Sequence, residues 1–258
     1  MKVAIAGAGG RMGQALIEGL RGERELQFAA ALEAPGHAAL GSAIAGIRIG
    51  ADVGAALAGA DVLIDFTRPE ATLAHVRLCA EQGKAMVIGT TGFPAGRKSE
   101  IEQAAKKIPI VMAANFAVGV NALYKLAETA ARILGEGYDV EIIEAHHRQK
   151  VDAPSGTALK LGEVIAAALQ EKLAQVERHG RHGEVGPRPA GEIGFHALRG
   201  GDIVGEHTVL FAGVGERLEL TVRSQSRATY AAGALRAARW LAGRRPGLYD
   251  MYDVLGLR

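Results

Sequence analysis

Through the first half of the chain, hydrophobic residues come in short unbroken runs, and each run is followed by a stretch in which they recur every three or four positions. "KVAIAG" precedes "GRMGQALIEGL", where Met12, Leu16 and Leu20 share one helical face. "LQFAAAL", "DVLIDF", "AMVIGTTG" and "IPIVMAAN" repeat the pattern, with a helix after "DVLIDF" and another ending near Lys107. Thr67 followed three residues later by Glu70 reads as a capping box, with Pro69 in the first turn. Continuous apolar strands alternating with helices predict a parallel sheet covered on both faces, a doubly wound Rossmann-type α/β fold.

After about residue 117 the rhythm changes. A helix is predicted near Asn121 to Leu134, then the strand "YDVEIIEAHH", then a helix from Ser155 to Leu173. "GEIGFHALR", "DIVGEHTVLFAG" and "ERLELTVRS" follow with only turns between them. Neighbouring strands without crossover helices predict a second α+β domain on a mixed or antiparallel sheet. "YAAGALRAARWLAG" is helical and is expected to return to the first domain. The expected division is 1–117 plus 230–258 for dinucleotide binding, and 118–229 for substrate binding and oligomerisation. The Gly-, Pro- and charge-rich segment from Glu177 to Glu192 reads as a flexible loop.

Composition narrows the function class. Of 258 residues, 48% are hydrophobic and 22% charged, which suits a globular enzyme with a substantial core. The 30 Lys and Arg residues are scattered and the formal net charge is only +2, so neither nucleic acid nor a membrane surface is an expected partner. Cys79 is the single cysteine, which excludes an internal disulfide framework or a cysteine zinc site. The apolar start is broken by glycines and too short for a signal peptide. "IPIVMAANFAVGV" falls short of the ~20 residues of a membrane span. A cytoplasmic enzyme is expected.

"VAIAGAGGRMG" places Gly7, Gly9, Gly10 and Gly13 between the first strand and the first helix. Glycines let the backbone approach a pyrophosphate, and a helix N-terminus supplies N–H groups and partial positive charge. Strict GxGxxG spacing is not met, since its last position is Met12; GxxGxxG fits instead. Glu33 ends the second strand 20 residues after Gly13, where an acid meets ribose hydroxyls. The competing view is a glycine turn that only packs helix on strand. A carboxylate there favours NADH and repels the 2′-phosphate of NADPH, and "APGH" offers no arginine for that phosphate, although Arg11 or His37 could partly substitute. NADH is therefore expected to serve at least as well as NADPH. "GTTG" (Gly89 to Gly92) and "AANF" (Ala113 to Phe116) close later strands and are candidates for the nicotinamide half.

"EAHHRQKVDAPSGTA" (Glu144 to Ala158) holds two histidines, Lys150 and a Ser-Gly-Thr helix start. His146 and His147 point to opposite faces of a strand and are poorly placed to share one metal, so no metal is expected. A near-neutral histidine suits proton transfer, and a lysine four residues on adds positive charge. Ser155 or Asp152 can cap the helix, leaving the Gly156 and Thr157 amides to receive a carboxylate. Taken singly, each feature is as readily an ordinary strand end or cap.

That stretch closely resembles the signature of the 4-hydroxy-tetrahydrodipicolinate reductase (dihydrodipicolinate reductase) family of diaminopimelate and lysine biosynthesis. "VAIAGAGGRMG", "IDFTRPE", "VIGTTGF", "AANFAVGVN", "GDIVGEHTV" and "GLYDMYDVLGL" extend the resemblance over nearly the whole chain, in order. The resemblance implies an NADH- or NADPH-dependent reductase with a dicarboxylate substrate, and a homotetramer. Gly7, Ala8, Gly9, Gly10, Arg11, Met12, Glu33, Gly89, Thr90, Thr91, Ala113, Ala114, Asn115 and Phe116 would contact the dinucleotide. His146 and Lys150 would be the acid–base pair. His147, Lys150, Gly156 and Thr157 would hold the substrate, and Arg68 is a further candidate contact. Domain closure over the bound pair is expected. One departure bears on the cofactor: members that use both often carry Arg after the ribose acid, where this chain has Ala34. Other two-domain dehydrogenases, such as those acting on aspartate-derived semialdehydes, and a nucleotide-sensing regulator remain the alternatives.

Overall fold

The computed structural model describes residues 1–94 and 96–258. The chain forms two compact units, Met1–Val118 with Arg227–Arg258, and Gly119–Ser226. In chain order the first unit opens with β1 (Lys2–Ala6), α1 (Arg11–Leu20), β2 (Gln27–Leu32), β3 (Ala43–Ile44), β4 (Ile47–Gly50) and α2 (Val53–Ala58). It continues with β5 (Val62–Asp65), α3 (Pro69–Gln82), β6 (Ala85–Ile88), α4 (Lys98–Ala105) and β7 (Pro109–Met112). Next come α5 (Val118–Leu134), β8 (Asp139–His146), α6 (Gly156–Ala168), α7 (Leu173–Val176), β9 (Glu177–His179), β10 (Ile193–Arg199), β11 (Gly205–Ala212) and β12 (Arg217–Ser224). The chain ends with α8 (Ala228–Trp240), β13 (Gly247–Tyr249) and α9 (Met251–Leu255).

The first unit's sheet runs β13-β7-β6-β5-β1-β2-β4-β3 and is parallel except at the β3–β4 hairpin. Its central strands are apolar apart from Lys2 at the start of β1 and Asp65 at the end of β5, because both faces are covered: Ile5, Ile64 and Val87 are fully buried. One side packs on Leu16, Leu20, Leu235 and Leu241 of the α1 and α8 region. The other packs on Leu57, Leu73, Val76 and Ile101 from α2, α3 and α4. Each such large apolar side chain contributes about 1.5–3 kcal/mol by leaving water. Thr67 does not cap α3, contrary to the capping-box expectation. The N-cap is Arg68, without a side-chain cap, and the Thr67 hydroxyl donates to Asp65 Oδ1 at 2.6 Å. A carboxylate two residues upstream captures the hydroxyl first.

The second unit's sheet runs β12-β11-β8-β10-β9. β8 is central, antiparallel to β11 and parallel to β10. Its alternation buries Val140, Ile142 and Glu144 on one face, with α6 packed against the sheet. α6 stops at Ala168, short of the expected Leu173, because Gln170 takes a left-handed φ of 63° and the Glu171 amide turns back to the Ala166 carbonyl. The segment expected to be a flexible loop is pinned instead. β9 joins the sheet edge, Arg181 donates to Glu141 at 3.1 Å, and Arg188 reaches Glu141 at 2.9 Å and Asp139 at 2.6 Å. Burial works to raise the Glu141 pKa, but hydrogen bonds from Arg181, His196 and Arg188 outweigh it and hold it at about 2. Among the described residues no helix is long and apolar enough to cross a membrane.

Candidate active site

In the first unit, β1 ends at the glycine loop. Gly7 sits at φ 73°, and its amide and that of Ala8 donate to the Leu32 carbonyl at 2.9 and 3.0 Å. A Cβ on Gly13 would overlap the Gly7 carbonyl oxygen and the Ala8 backbone. The α1 backbone therefore presses directly on the loop, and its N-cap Gly10 offers no competing side chain to the first-turn amides. Arg11 is exposed and Met12 half-buried, while Ala8 is fully buried with its amide spent on the Leu32 carbonyl. Glu33 Oε1 accepts from the Gly9 amide at 2.9 Å, and Oε2 from the Ala34 amide at 3.2 Å. The acid is thus tied to the glycine loop itself. This cradle, too tight for any Cβ at Gly13, fits a dinucleotide pyrophosphate with ribose beside Glu33.

The later strand ends converge on a cavity of about 490 Å³ lined by Thr90, Thr91, Ala113, Ala114, Lys98 and Tyr249. Gly89 leaves space that the Phe66 ring occupies, and Phe66 packs on Phe116 with centroids 5.5 Å apart. Phe116 is itself buried, and the Asn115 side chain accepts from the Ala117 amide at 2.9 Å. Thr90 turns its hydroxyl inward, accepting from Thr72 at 2.8 Å and from the Thr67 amide at 3.1 Å. Asp65, fully buried, collects the Thr67 amide and hydroxyl and His75 Nδ1 at 2.7 Å. Sequence reasoning missed this scaffold of Asp65, Thr72 and His75; "IDFTRPEATLAH" carries all three, but nothing in it says that Asp65 gathers the loops.

In the second unit, β8 delivers Glu144 and His146 to the same face. Glu144 is 1% exposed. Its Oε2 lies 2.6 Å from His146 Nδ1, and its Oε1 accepts from the Ser155 amide at 3.1 Å. Arg199 forks onto the same carboxylate at 2.7 and 2.8 Å. Burial works to raise the Glu144 pKa, but Arg199 and His146 overcome it and hold the group below its ordinary value. Burial lowers the His146 pKa, and Glu144 opposes that shift. Ser155, not Asp152, caps α6, its hydroxyl accepting from the Ala158 amide at 3.2 Å. Gly156 is exposed with open space beside it.

Lys150 is held by Asp152, with Nζ 2.8 Å from Oδ1. His147 Nδ1 is buried without a hydrogen-bond partner among the described residues. His207 packs edge-on to His146 at 5.2 Å and bonds Ser155 Oγ through Nε2 at 3.0 Å. Burial, then the neighbouring His146, push its pKa down to about 4. The structure thus clusters His146 with the start of α6 inside one unit. Arg199 and His207 were missed because their partners lie 55 and 52 residues away in sequence. Among the described residues no group of three or more His, Cys, Asp or Glu side chains could hold a metal ion.

A parallel sheet whose first turn has room for a pyrophosphate, followed in the chain by a unit in which His146 bonds a buried glutamate, marks a nicotinamide-dependent oxidoreductase. Comparison with known proteins narrows the class. Residues 1–116 match the family described as dihydrodipicolinate reductase, N-terminus, and 119–255 match dihydrodipicolinate reductase, C-terminus. The chain is 58% identical to the 4-hydroxy-tetrahydrodipicolinate reductase of Aromatoleum aromaticum, covering all of this chain and 96% of that one. It is 56% identical to the enzyme of the same name from Cupriavidus metallidurans, covering both completely. A dipicolinate-bound dihydrodipicolinate reductase from Paenisporosarcina sp. TG-14 superposes with a TM-score of 0.81 at 27% identity, covering 98% of each chain. The chain belongs to the dihydrodipicolinate reductase family.

Proposed function

We propose that the chain reduces 4-hydroxy-tetrahydrodipicolinate, by way of dihydrodipicolinate, to tetrahydrodipicolinate in diaminopimelate and lysine biosynthesis. The observation that carries the reading is the bridge made by Glu144, which bonds His146 with one oxygen and the first residue of the α6 cap with the other. It sets a proton donor beside an anion cradle, as a dicarboxylate substrate requires. Family membership adds the reaction.

Gly7, Ala8, Gly9, Gly10, Arg11 and Met12 hold the dinucleotide pyrophosphate, and Glu33 holds the adenosine ribose. The loops of Gly89, Thr90 and Thr91 and of Ala113, Ala114, Asn115 and Phe116 shape the nicotinamide end, with Thr90 and Phe116 contributing backbone since their side chains are committed inward. When bound, the reduced nicotinamide supplies a hydride to ring C4 of the substrate. Lys150, His147 and the Gly156 and Thr157 amides hold the substrate carboxylates and draw electron density toward them. His146 gives a proton to C3, so that ring carbons gain one hydride and one proton, the hydroxyl having left as water.

Glu33 also bears on cofactor choice. Its carboxylate, fixed by the Gly9 and Ala34 amides, opposes a 2′-phosphate, so NADH serves at least as well as NADPH. The reading extends to a homotetramer, which the family resemblance implies, with the exposed Leu198 on the second unit's sheet open to a neighbouring subunit. Oxidation of NADH on adding freshly made synthase product tests the function. Turnover with that product and none with aspartate semialdehyde is expected. NADH binding without turnover would instead favour a sensing role.

A further inference from the structure

We propose that Glu144 is a positioning residue: it fixes the His146 ring with Nδ1 as the hydrogen-bond donor, leaving Nε2 as the atom that exchanges a proton with substrate. The inference rests on the proton-donor reading of His146 above.

Besides Nδ1 of His146, the Glu144 carboxylate meets two Arg199 nitrogens, at 2.8 Å on Oε2 and 2.7 Å on Oε1, and the Ser155 amide at 3.1 Å. A guanidinium and a backbone N–H can only donate. A carboxylate gripped by a bidentate guanidinium is ionised and can only accept, so the remaining partner must donate as well. His146 Nδ1 at 2.6 Å therefore carries a hydrogen in both charge states of the ring. Arg199 is itself anchored, donating to the Asp152 and Leu198 carbonyls at 2.7 and 2.6 Å, and cannot swing away without losing them.

The other charged or titratable groups facing His146 do not compete for this role. Lys150 is engaged with Asp152. His207, on β11, packs edge-on to the ring and spends Nε2 on Ser155, with its pKa pushed to about 4 by burial. Burial, and after it Lys150 and Arg199, disfavour a charged His146, and Glu144 favours it. The carboxylate thus does two things: it sets the tautomer and keeps the imidazolium accessible.

Nitrogen-15 NMR of the histidine-labelled native protein reads the tautomer without turnover. Above the titration of His146, the expected state is Nδ1–H with a bare Nε2; the opposite tautomer would overturn the inference whether or not any variant folds. In Glu144→Gln the side-chain oxygen stays with Arg199 Nη2 and the Ser155 amide, which gives up the Arg199 Nη1 bond, turns the amide NH2 toward Nδ1 and forces the opposite tautomer. Its kcat should fall about a hundredfold, with substrate KM within about threefold, and the alkaline limb of its pH profile should move to lower pH. Native kcat with an unshifted limb in Glu144→Gln, alongside an inactive His146→Gln, would overturn the inference alone. A His146→Gln enzyme of native rate would overturn the proton-donor reading and this inference with it.

Discussion

Lys150 and Asp152 form an ion pair, with Nζ 2.8 and 2.9 Å from the two carboxylate oxygens, and the aspartate half of it is 57% exposed. The lysine proposed to take a substrate carboxylate is therefore already partnered, and on that reading substrate must displace Asp152. Exposed pairs of this kind contribute about 0–1 kcal/mol, so displacement is cheap. Asp152→Ala should lower substrate KM by up to about fivefold. Lys150→Ala should lower kcat/KM by about a hundredfold or more. Steady-state kinetics check both; an unchanged Lys150→Ala enzyme would remove that residue from the site.

Gly13 has no room for a side chain against the Gly7 carbonyl. Gly13→Ala must push α1 away from the glycine loop proposed to hold the pyrophosphate. The dissociation constant for NADH, read by fluorescence titration, should rise at least about tenfold. Binding at native strength would mean that the loop does not hold the dinucleotide.

Ala34 stands where an arginine could meet a 2′-phosphate, and its amide already bonds Glu33. Ala34→Arg should raise the NADPH-to-NADH ratio of kcat/KM by about tenfold, since a charge-assisted pair is added on one cofactor only. A native enzyme with a hundredfold preference for NADPH would contradict the role given to Glu33.

His207 makes stability depend on pH. Its folded pKa of about 4 lies below the ordinary histidine value, because burial disfavours the charged ring. The unfolded chain therefore binds the proton first as pH falls, and stability is lost between roughly pH 6.5 and pH 4. This one group should cost about 2 kcal/mol between pH 7 and pH 5. Urea denaturation of the native protein and of His207→Gln, which can still bond Ser155, should show a smaller pH dependence in the variant. Equal slopes would exclude His207 as the cause.

The larger elements were legible because their signals are local. The apolar runs of β1, β5 and β6 sit in a sheet covered on both faces, and Ser155 caps α6 with its own hydroxyl. What was hidden depends on distant partners. The two-residue β3 and three-residue β13 are too short to show a period, and exist only because longer strands lie beside them. Arg181 and Arg188 read as loop charge until Glu141, 40 and 47 residues away, is brought against them. The same holds at the site: His146 and Lys150 announce themselves in one motif, whereas Arg199 reaches Glu144 only through the pairing of β10 with β8.

The central claim is that His146 delivers the proton that accompanies hydride addition to the substrate ring. Steady-state turnover of freshly made substrate with NADH, compared between the native enzyme and His146→Gln, tests it most directly. The account predicts rapid NADH oxidation by the native enzyme and a kcat lower by about a hundredfold or more in the variant, with NADH still bound. A variant that turns over at close to the native rate would contradict it.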